Sequence, residues 1–126
     1  MRTKLTLTIL GAYNILFGLV AMFASATMAA EIVNSDSLEV IRMGELFHIG
    51  LGHAIFLCGL LLMFARNAEL ATAKNIILAY MIGIAILFYI FFGVMANEPL
   101  ILFSASNVVP DFLFFGVAIF GYLKAK

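Results

Sequence analysis

Groups that could do chemistry concentrate in one apolar stretch, which runs from Ser37 to Phe64 and holds both histidines of the chain. Glu45 and His48 form an E-x-x-H pair there, and a spacing of three residues places both side chains on one face of a helix. Di-iron bundles use two such pairs together with a glutamate from each of two further helices. This chain offers one pair, so its sequence does not predict a complete dinuclear metal site within a single chain. We expect Glu45 at the membrane surface, in contact with Arg42 or His48.

His53 follows His48 by five residues, so on a helix the two side chains diverge by about 140°. They cannot hold one metal ion or haem from the same face, and a haem would need a second copy of the chain or a ligand of another kind. His53 falls near the centre of an apolar run, where polar side chains are costly and are functional candidates by default. We expect it to bond to Tyr89 or to a backbone carbonyl, as either a functional or a purely structural histidine.

Asp111 is the only carboxylate near the start of the last apolar run, and Asn107 precedes it by one helical turn. A carboxylate in the first turn of a helix favours the helix dipole and can cap free N–H groups. Alternatively, Asp111 meets Glu45 and His48 in a small polar pocket where the outer ends of two helices come together. Such a pocket could pass a proton or bind a small polar ligand. Both interpretations remain open from the sequence.

Small and polar residues inside the apolar runs predict where helices pack. Gly44, Gly52 and Gly59 fall on the same helical stripe as Glu45 and lie where small side chains would let two helices approach closely. Asn14 is the one strongly polar side chain deep in the first apolar run, and we expect it to form an interhelical hydrogen bond.

The elements that must position these residues follow from composition and from the length of the apolar runs. With 65% hydrophobic and 11% charged residues, the chain must turn apolar surface towards lipid. The first run exceeds the ~7–15 residues of a signal-peptide core and suits a membrane span. We expect an all-α polytopic membrane protein, an antiparallel four-helix transmembrane bundle in one domain, with a short amphipathic extension before the second span. The predicted spans are about 5–30, 46–65, 75–95 and 108–123.

The basic residues predict the orientation of these spans. One side of a four-span arrangement receives Arg2, Lys4, Arg66, Lys74, Lys124 and Lys126, and the other receives only Arg42. The positive-inside rule then predicts a cell inner membrane protein with both termini in the cytoplasm. Since the formal net charge is zero, the sequence does not predict a nucleic-acid partner.

Two segments, SNVVPDFLFFGVAIFGYLKAK at the end and GAYNILFGLVAMF near the start, resemble small DoxX-like integral membrane proteins of bacteria. The resemblance implies a four-helix membrane protein, and it covers most of the chain through hydropathy and helix count. Many relatives carry a histidine a few residues after the aspartate, where this chain has Phe112 to Phe115. The resemblance therefore assigns no site residue and no redox role here.

Three hypotheses of function follow. The first is a non-enzymatic accessory subunit or scaffold that needs no cofactor or metal and acts through helix–helix contacts, with the lipid bilayer and a second copy or a larger membrane complex as partners. The second is a small proton-coupled transporter or carrier that uses the intramembrane histidine and the outer Glu, His and Asp group. The third is a membrane redox, haem or metal protein, which a visible absorption spectrum and a metal analysis would identify.

Overall fold

The computed structural model describes residues 2–125, and almost all of them are helical, as the sequence predicts. The α-helices are α1 (Arg2–Phe23), α2 (Ser25–Ile32), α3 (Leu38–Phe64), α4 (Leu70–Tyr89) and α5 (Val109–Leu123). Four segments, 2–23, 38–67, 70–97 and 105–123, are long and apolar enough to cross a membrane. This is the pattern of a multi-pass membrane protein built as a helix bundle.

The first predicted span is not one continuous helix from 5 to 30, because the helix is interrupted at Ala24. Ala24 has φ −110° and ψ 26°, outside the helical region, yet its N–H still donates to Val20 at 2.8 Å. The chain therefore bends here without losing its backbone hydrogen bonds. The bend leaves α2 packed against α3, where Ala29 lies beside Gly44.

The other spans start and end within a few residues of the predicted positions. α3 begins directly after Ser37 and runs without a break through the predicted span. α4 begins at Leu70, earlier than predicted, and continues as a π-helical segment, Ile90–Val94, and a short 3-10 turn. The Asn97 side chain donates to the carbonyl of Gly93 at 3.1 Å, which satisfies one acceptor near this irregular end. α5 has Pro110 in its first turn, where the missing N–H costs nothing.

α1 is the central helix, and one of its faces forms a glycine seam with α3. A Cβ added to Gly18 would lie 2.6 Å from the backbone nitrogen of Phe56 and 2.7 Å from the carbonyl oxygen of Gly52. Similarly, a Cβ on Gly59 would lie 2.9 Å from the carbonyl oxygen of Gly11. Residue numbers rise on α1 as they fall on α3 along this seam, and only glycine allows such close backbone contact.

The opposite side of α1 packs against α4 and α5. Leu7 and Leu10 of α1 are fully buried there with Ile77 of α4 and Ala118 of α5. α3 packs mainly against α1 and α2, so it forms one flank of the bundle and α4 with α5 forms the other. This arrangement decides which of the predicted site residues can meet.

Candidate functional site

The central polar contact of the bundle joins Tyr13 of α1 to Asp111 of α5. The Tyr13 hydroxyl donates a hydrogen bond to Oδ1 of Asp111 over 3.2 Å. The Tyr13 ring stacks on the ring of Phe114, with ring centroids 3.7 Å apart. The ring of Phe17 also stacks with that of Tyr13, and their centroids are 5.9 Å apart. Aromatic side chains thus surround a carboxyl–phenol pair that is half-buried within the chain.

Asp111 lies deep in the bundle rather than at its outer surface. Tyr13 is eleven residues after Arg2, which corresponds to about 16 Å along an α-helix. If Arg2 lies at the membrane surface, this is close to the middle of a hydrocarbon core that is about 30 Å thick. The expectation that Asp111 shares the depth of Glu45 is therefore not met by the structure. The reason is that α5 is short and its first turn begins well inside the bundle.

Asn14 makes a second interhelical contact next to Tyr13. Its Nδ2 donates to the carbonyl oxygen of Leu10 at 2.8 Å and to the Tyr80 hydroxyl of α4 at 3.3 Å. Asn14 is 8% exposed and Tyr80 is 9% exposed, so this contact is shielded from the surroundings of the bundle. We call Tyr13, Asn14, Tyr80 and Asp111 the inner polar group, and it joins α1, α4 and α5.

The E-x-x-H pair lies on α3, at the other end of that helix from the connection to α4. Glu45 forms an ion pair with Arg42, three residues earlier. His48 is 7% exposed, and its Nδ1 lies 2.7 Å from the carbonyl oxygen of Gly44. Glu45 and His48 therefore bind separate neighbours on their own helix, and in the described residues no third potential metal ligand lies close to them.

The predicted polar pocket between the outer ends of two helices is not formed. Along the seam, Gly52 of α3 lies beside Ala21 and Met22 of α1. His48 is one turn before Gly52, so it lies past Met22, towards the end of α1 that leads into α2. Tyr13 is eight residues before Ala21, which places Asp111 about 12 Å or more from the depth of His48. The flanking positions of α3 and α5 on α1 separate the two groups further. Asn107, in the 3-10 turn before α5, is exposed and lies with neither group.

His53 occupies a different position from His48. Its side chain is exposed on the face of α3 that turns away from α1, and among residues 2–125 it has no hydrogen-bond partner. Tyr89, one of its expected partners, is itself 72% exposed on α4. Gly50 lies on the same outer face of α3, and a Cβ added there would meet nothing within 4 Å. We call the face around Gly50, His53, Ala54 and Leu57 the outer face of α3.

Residues 2–125 contain no group of three or more His, Cys, Asp or Glu side chains close enough to hold a metal ion. Cys58 is a free, exposed cysteine on α3. What the inner polar group offers instead is a carboxyl group and a phenol that can share or exchange a proton in apolar surroundings.

Sequence reasoning did not assign Tyr13 or Tyr80 to a site. The sequence could have marked them as candidates, because each places a hydroxyl group within an apolar run and Tyr13 directly precedes Asn14. Their partners could not be inferred, however, because 98 residues separate Tyr13 from Asp111 and 66 separate Asn14 from Tyr80.

No protein-family model, no curated protein and no solved structure matches this sequence. The resemblance to DoxX-like proteins is therefore untested and stays a prediction.

Proposed function

We propose that this protein is a structural subunit of a bacterial inner membrane, which acts by binding other transmembrane helices. In this proposal four antiparallel spans form the bundle, and both termini lie in the cytoplasm. The short connections between the helices favour a role within the bilayer, since little of the chain is left outside the spans. The inner polar group then serves to fix α4 and α5 on α1.

The observation that carries the proposal is His53 on the outer face of α3. An imidazole on the lipid-facing side of a membrane span needs a hydrogen-bond partner, because lipid chains offer none. Within the described residues this chain supplies no partner for it. A protein that docks on this face would supply one, and Gly50 would let its helix approach closely.

A second copy of the same chain is the occupant that fits this face best. A neutral imidazole donates through one nitrogen and accepts through the other. A two-fold interface brings the same patch of both copies together, so one His53 can donate a hydrogen bond and the other can accept it. The proposal thus commits to a homodimer formed through the outer face of α3.

The test measures the dimerisation of purified protein in lipid nanodiscs or bicelles, by counting subunits through single-molecule photobleaching. Intramembrane hydrogen bonds contribute about 0.6 kcal/mol on average and up to about 1.7. His53→Leu should therefore weaken dimerisation about three- to eighteenfold. Gly50→Ile leaves the imidazole in place but blocks close approach, and it should also weaken the dimer.

Gly83→Ile is the matched control. Gly83 lies on α4 with nothing within 4 Å of its Cβ position, so the substitution adds the same bulk to another exposed face. It should leave the dimer intact. A protein that stays monomeric would overturn the proposal, as would a dimer that resists both α3 substitutions. A dimer disrupted by Gly83→Ile alone would place the contact on α4.

A carrier that binds and releases protons is the second candidate, and the inner polar group favours it. A carboxyl group near the middle of the bilayer is costly and is typical of proton pathways. In this alternative Asp111 takes up the proton, and Tyr13 stabilises one of its two states. Protein in liposomes should then conduct protons or a coupled solute, and Asp111→Asn should abolish the flux while the dimer persists. Liposomes that show no flux above empty controls would exclude it.

A further inference from the structure

An open groove runs between α1 and α5 on the surface of the bundle. It encloses about 630 Å³, within the range of ligand pockets. Leu5 and Ile9 form one wall, and Leu113 and Val117 form the other. Gly116 of α5 also lines it, and a Cβ added there would meet nothing within 4 Å. The groove is apolar along almost its whole length.

One end of the groove is basic. Arg2 lines it at the start of α1, and no acidic side chain lines it anywhere. A smaller cavity of about 320 Å³ adjoins it and is lined by Arg2, Lys4, Leu5 and Thr8. Arg2 and Leu5 therefore belong to both cavities. Among residues 2–125 the one ion pair is that of Arg42 with Glu45, so neither cation is neutralised within the described chain.

We propose that these two cavities bind one anionic phospholipid, with its phosphate held by Arg2 and Lys4 and one acyl chain in the α1/α5 groove. The shape of such a lipid matches the arrangement, because a charged headgroup adjoins an apolar chain just as the basic cavity adjoins the apolar groove. The groove runs from Arg2 towards Phe112, next to Asp111, which spans a depth of about 15 Å. One leaflet of a bilayer core has the same depth. The charge matches as well, since anionic headgroups are attracted by basic side chains at the membrane surface.

This lipid site is independent of the dimer proposed above, because α1 and α5 form it while the dimer uses the outer face of α3. Loss of one should therefore leave the other unchanged.

The test uses the purified protein in detergent micelles that also contain phosphatidylglycerol and phosphatidylcholine. Native mass spectrometry then measures the lipid that stays bound to the protein. Phosphatidylglycerol should bind in preference to phosphatidylcholine, with one molecule per chain. Each basic residue near a membrane surface contributes about fivefold in affinity for an anionic lipid. The double variant Arg2→Gln, Lys4→Gln should therefore bind phosphatidylglycerol about twentyfold to thirtyfold more weakly.

Two further variants separate this site from a general charge effect. Arg66→Gln removes a cation between α3 and α4, which lines neither cavity, and should leave binding unchanged. Gly116→Leu fills the groove without changing any charge and should weaken binding of the acyl chain. Circular dichroism shows whether each variant keeps its helices. Inorganic phosphate at millimolar concentration should not displace the lipid, and displacement would point to an anion site alone.

Equal binding of the two lipids would overturn the proposal. The same holds if Arg66→Gln weakens binding as much as the double variant, or if Gly116→Leu has no effect.

Discussion

Tyr13 and Asp111 bind each other where neither can exchange its partner for bulk water. Hydrogen bonds inside a membrane are nevertheless modest in strength, because the unfolded chain in the bilayer also finds partners. The Tyr13 ring also stacks on Phe114, with ring centroids 3.7 Å apart. The pair is therefore best suited to fixing the position of α5 on α1, rather than to supplying a large share of stability.

A double-mutant cycle of Tyr13→Phe and Asp111→Leu measures this bond. The coupling free energy should be about 0.6 kcal/mol and should not exceed about 1.7. Unfolding in mixed detergent–SDS micelles provides the measurement. Tyr89→Phe is the matched control because the Tyr89 side chain is exposed and its hydroxyl is not the one bonded to Asp111, so it should show no coupling to Asp111→Leu. Zero coupling for Tyr13 as well would contradict the bond.

The two histidines show what a helical period can predict. The two side chains diverge by about 140° around the helix, and in the structure His48 is buried whereas His53 is exposed. The helical period could not predict the hydrogen-bond partner of either histidine. His48 bonds to a carbonyl on its own helix, whereas His53 lacks the Tyr89 contact that we expected. A side chain's partner depends on which helices are neighbours, and one helix does not encode that.

At the scale of helices, the α1/α3 seam depends on glycine at both sides. Gly18→Ala should destabilise the bundle by about 1–3 kcal/mol, since its Cβ would lie within 3 Å of backbone atoms of α3 and backbone cannot give way as a side chain can. Gly52→Ala should behave likewise, because its Cβ would lie 2.8 Å from the Gly18 carbonyl oxygen. Unfolding in SDS measures both.

Gly83→Ala is the control for the seam, since Gly83 faces open space on α4. Replacing an exposed helical glycine by alanine should be neutral or stabilising by up to about 1 kcal/mol. If Gly83→Ala destabilises the bundle as much as Gly18→Ala, loss of the seam is not the cause.

The end of α2 is tied to the connection between α4 and α5. The Asn34 N–H donates to Leu100 at 2.8 Å, its side chain donates to Pro99 at 2.9 Å, and the Leu102 N–H donates to Ile32 at 2.7 Å. Val33 and Ile101 form an isolated antiparallel bridge between these segments. The connection is thereby held against the helix that leads into α3.

Asn34→Ala should loosen this connection without disturbing the spans. It removes the side-chain bond to Pro99, which is worth about 1 kcal/mol, while the backbone bonds remain. Hydrogen exchange at Leu102 should become about fivefold faster as a result. Asn107→Ala changes the same connection but removes an exposed side-chain amide that has no hydrogen bond within the described residues. It should not change the rate of hydrogen exchange at Leu102. Equal acceleration in both variants would argue against this contact.

Helix existence was predictable from the apolar runs, whereas the irregularities of the helices were not. Composition and run length predict four spans because the bilayer demands about 20 apolar residues from each. Neither quantity marks the interruption at Ala24, since alanine is the best helix former and the bend there serves the packing of α2. The π-helical segment after Tyr89 has no composition signal either. The bend at Ala24 accompanies the packing of α2 on α3, which composition does not encode.

At the scale of the whole molecule, α1 holds the bundle together. It carries the glycine seam on one side and the inner polar group on the other, so α3 and the α4/α5 pair contact each other little. This leaves the outer face of α3 open along most of its length. The positive-inside rule predicts on which side of the membrane each connection lies.

Labelling of single cysteines in intact cells tests this orientation. In a Cys58→Ala background, Asn67→Cys places a thiol between α3 and α4, and Ser104→Cys places one between α4 and α5. Because Arg2, Lys4 and Arg66 should hold their ends in the cytoplasm, a membrane-impermeant maleimide should label only the thiol at position 104. The thiol at position 67 should react only after the membrane is permeabilised.

A cysteine at position 57, in mid-span, should resist labelling throughout and serves as the control. The reverse pattern would invert the orientation, and labelling of both connections in intact cells would mean that the chain inserts in two orientations, which the one-sided basic residues argue against.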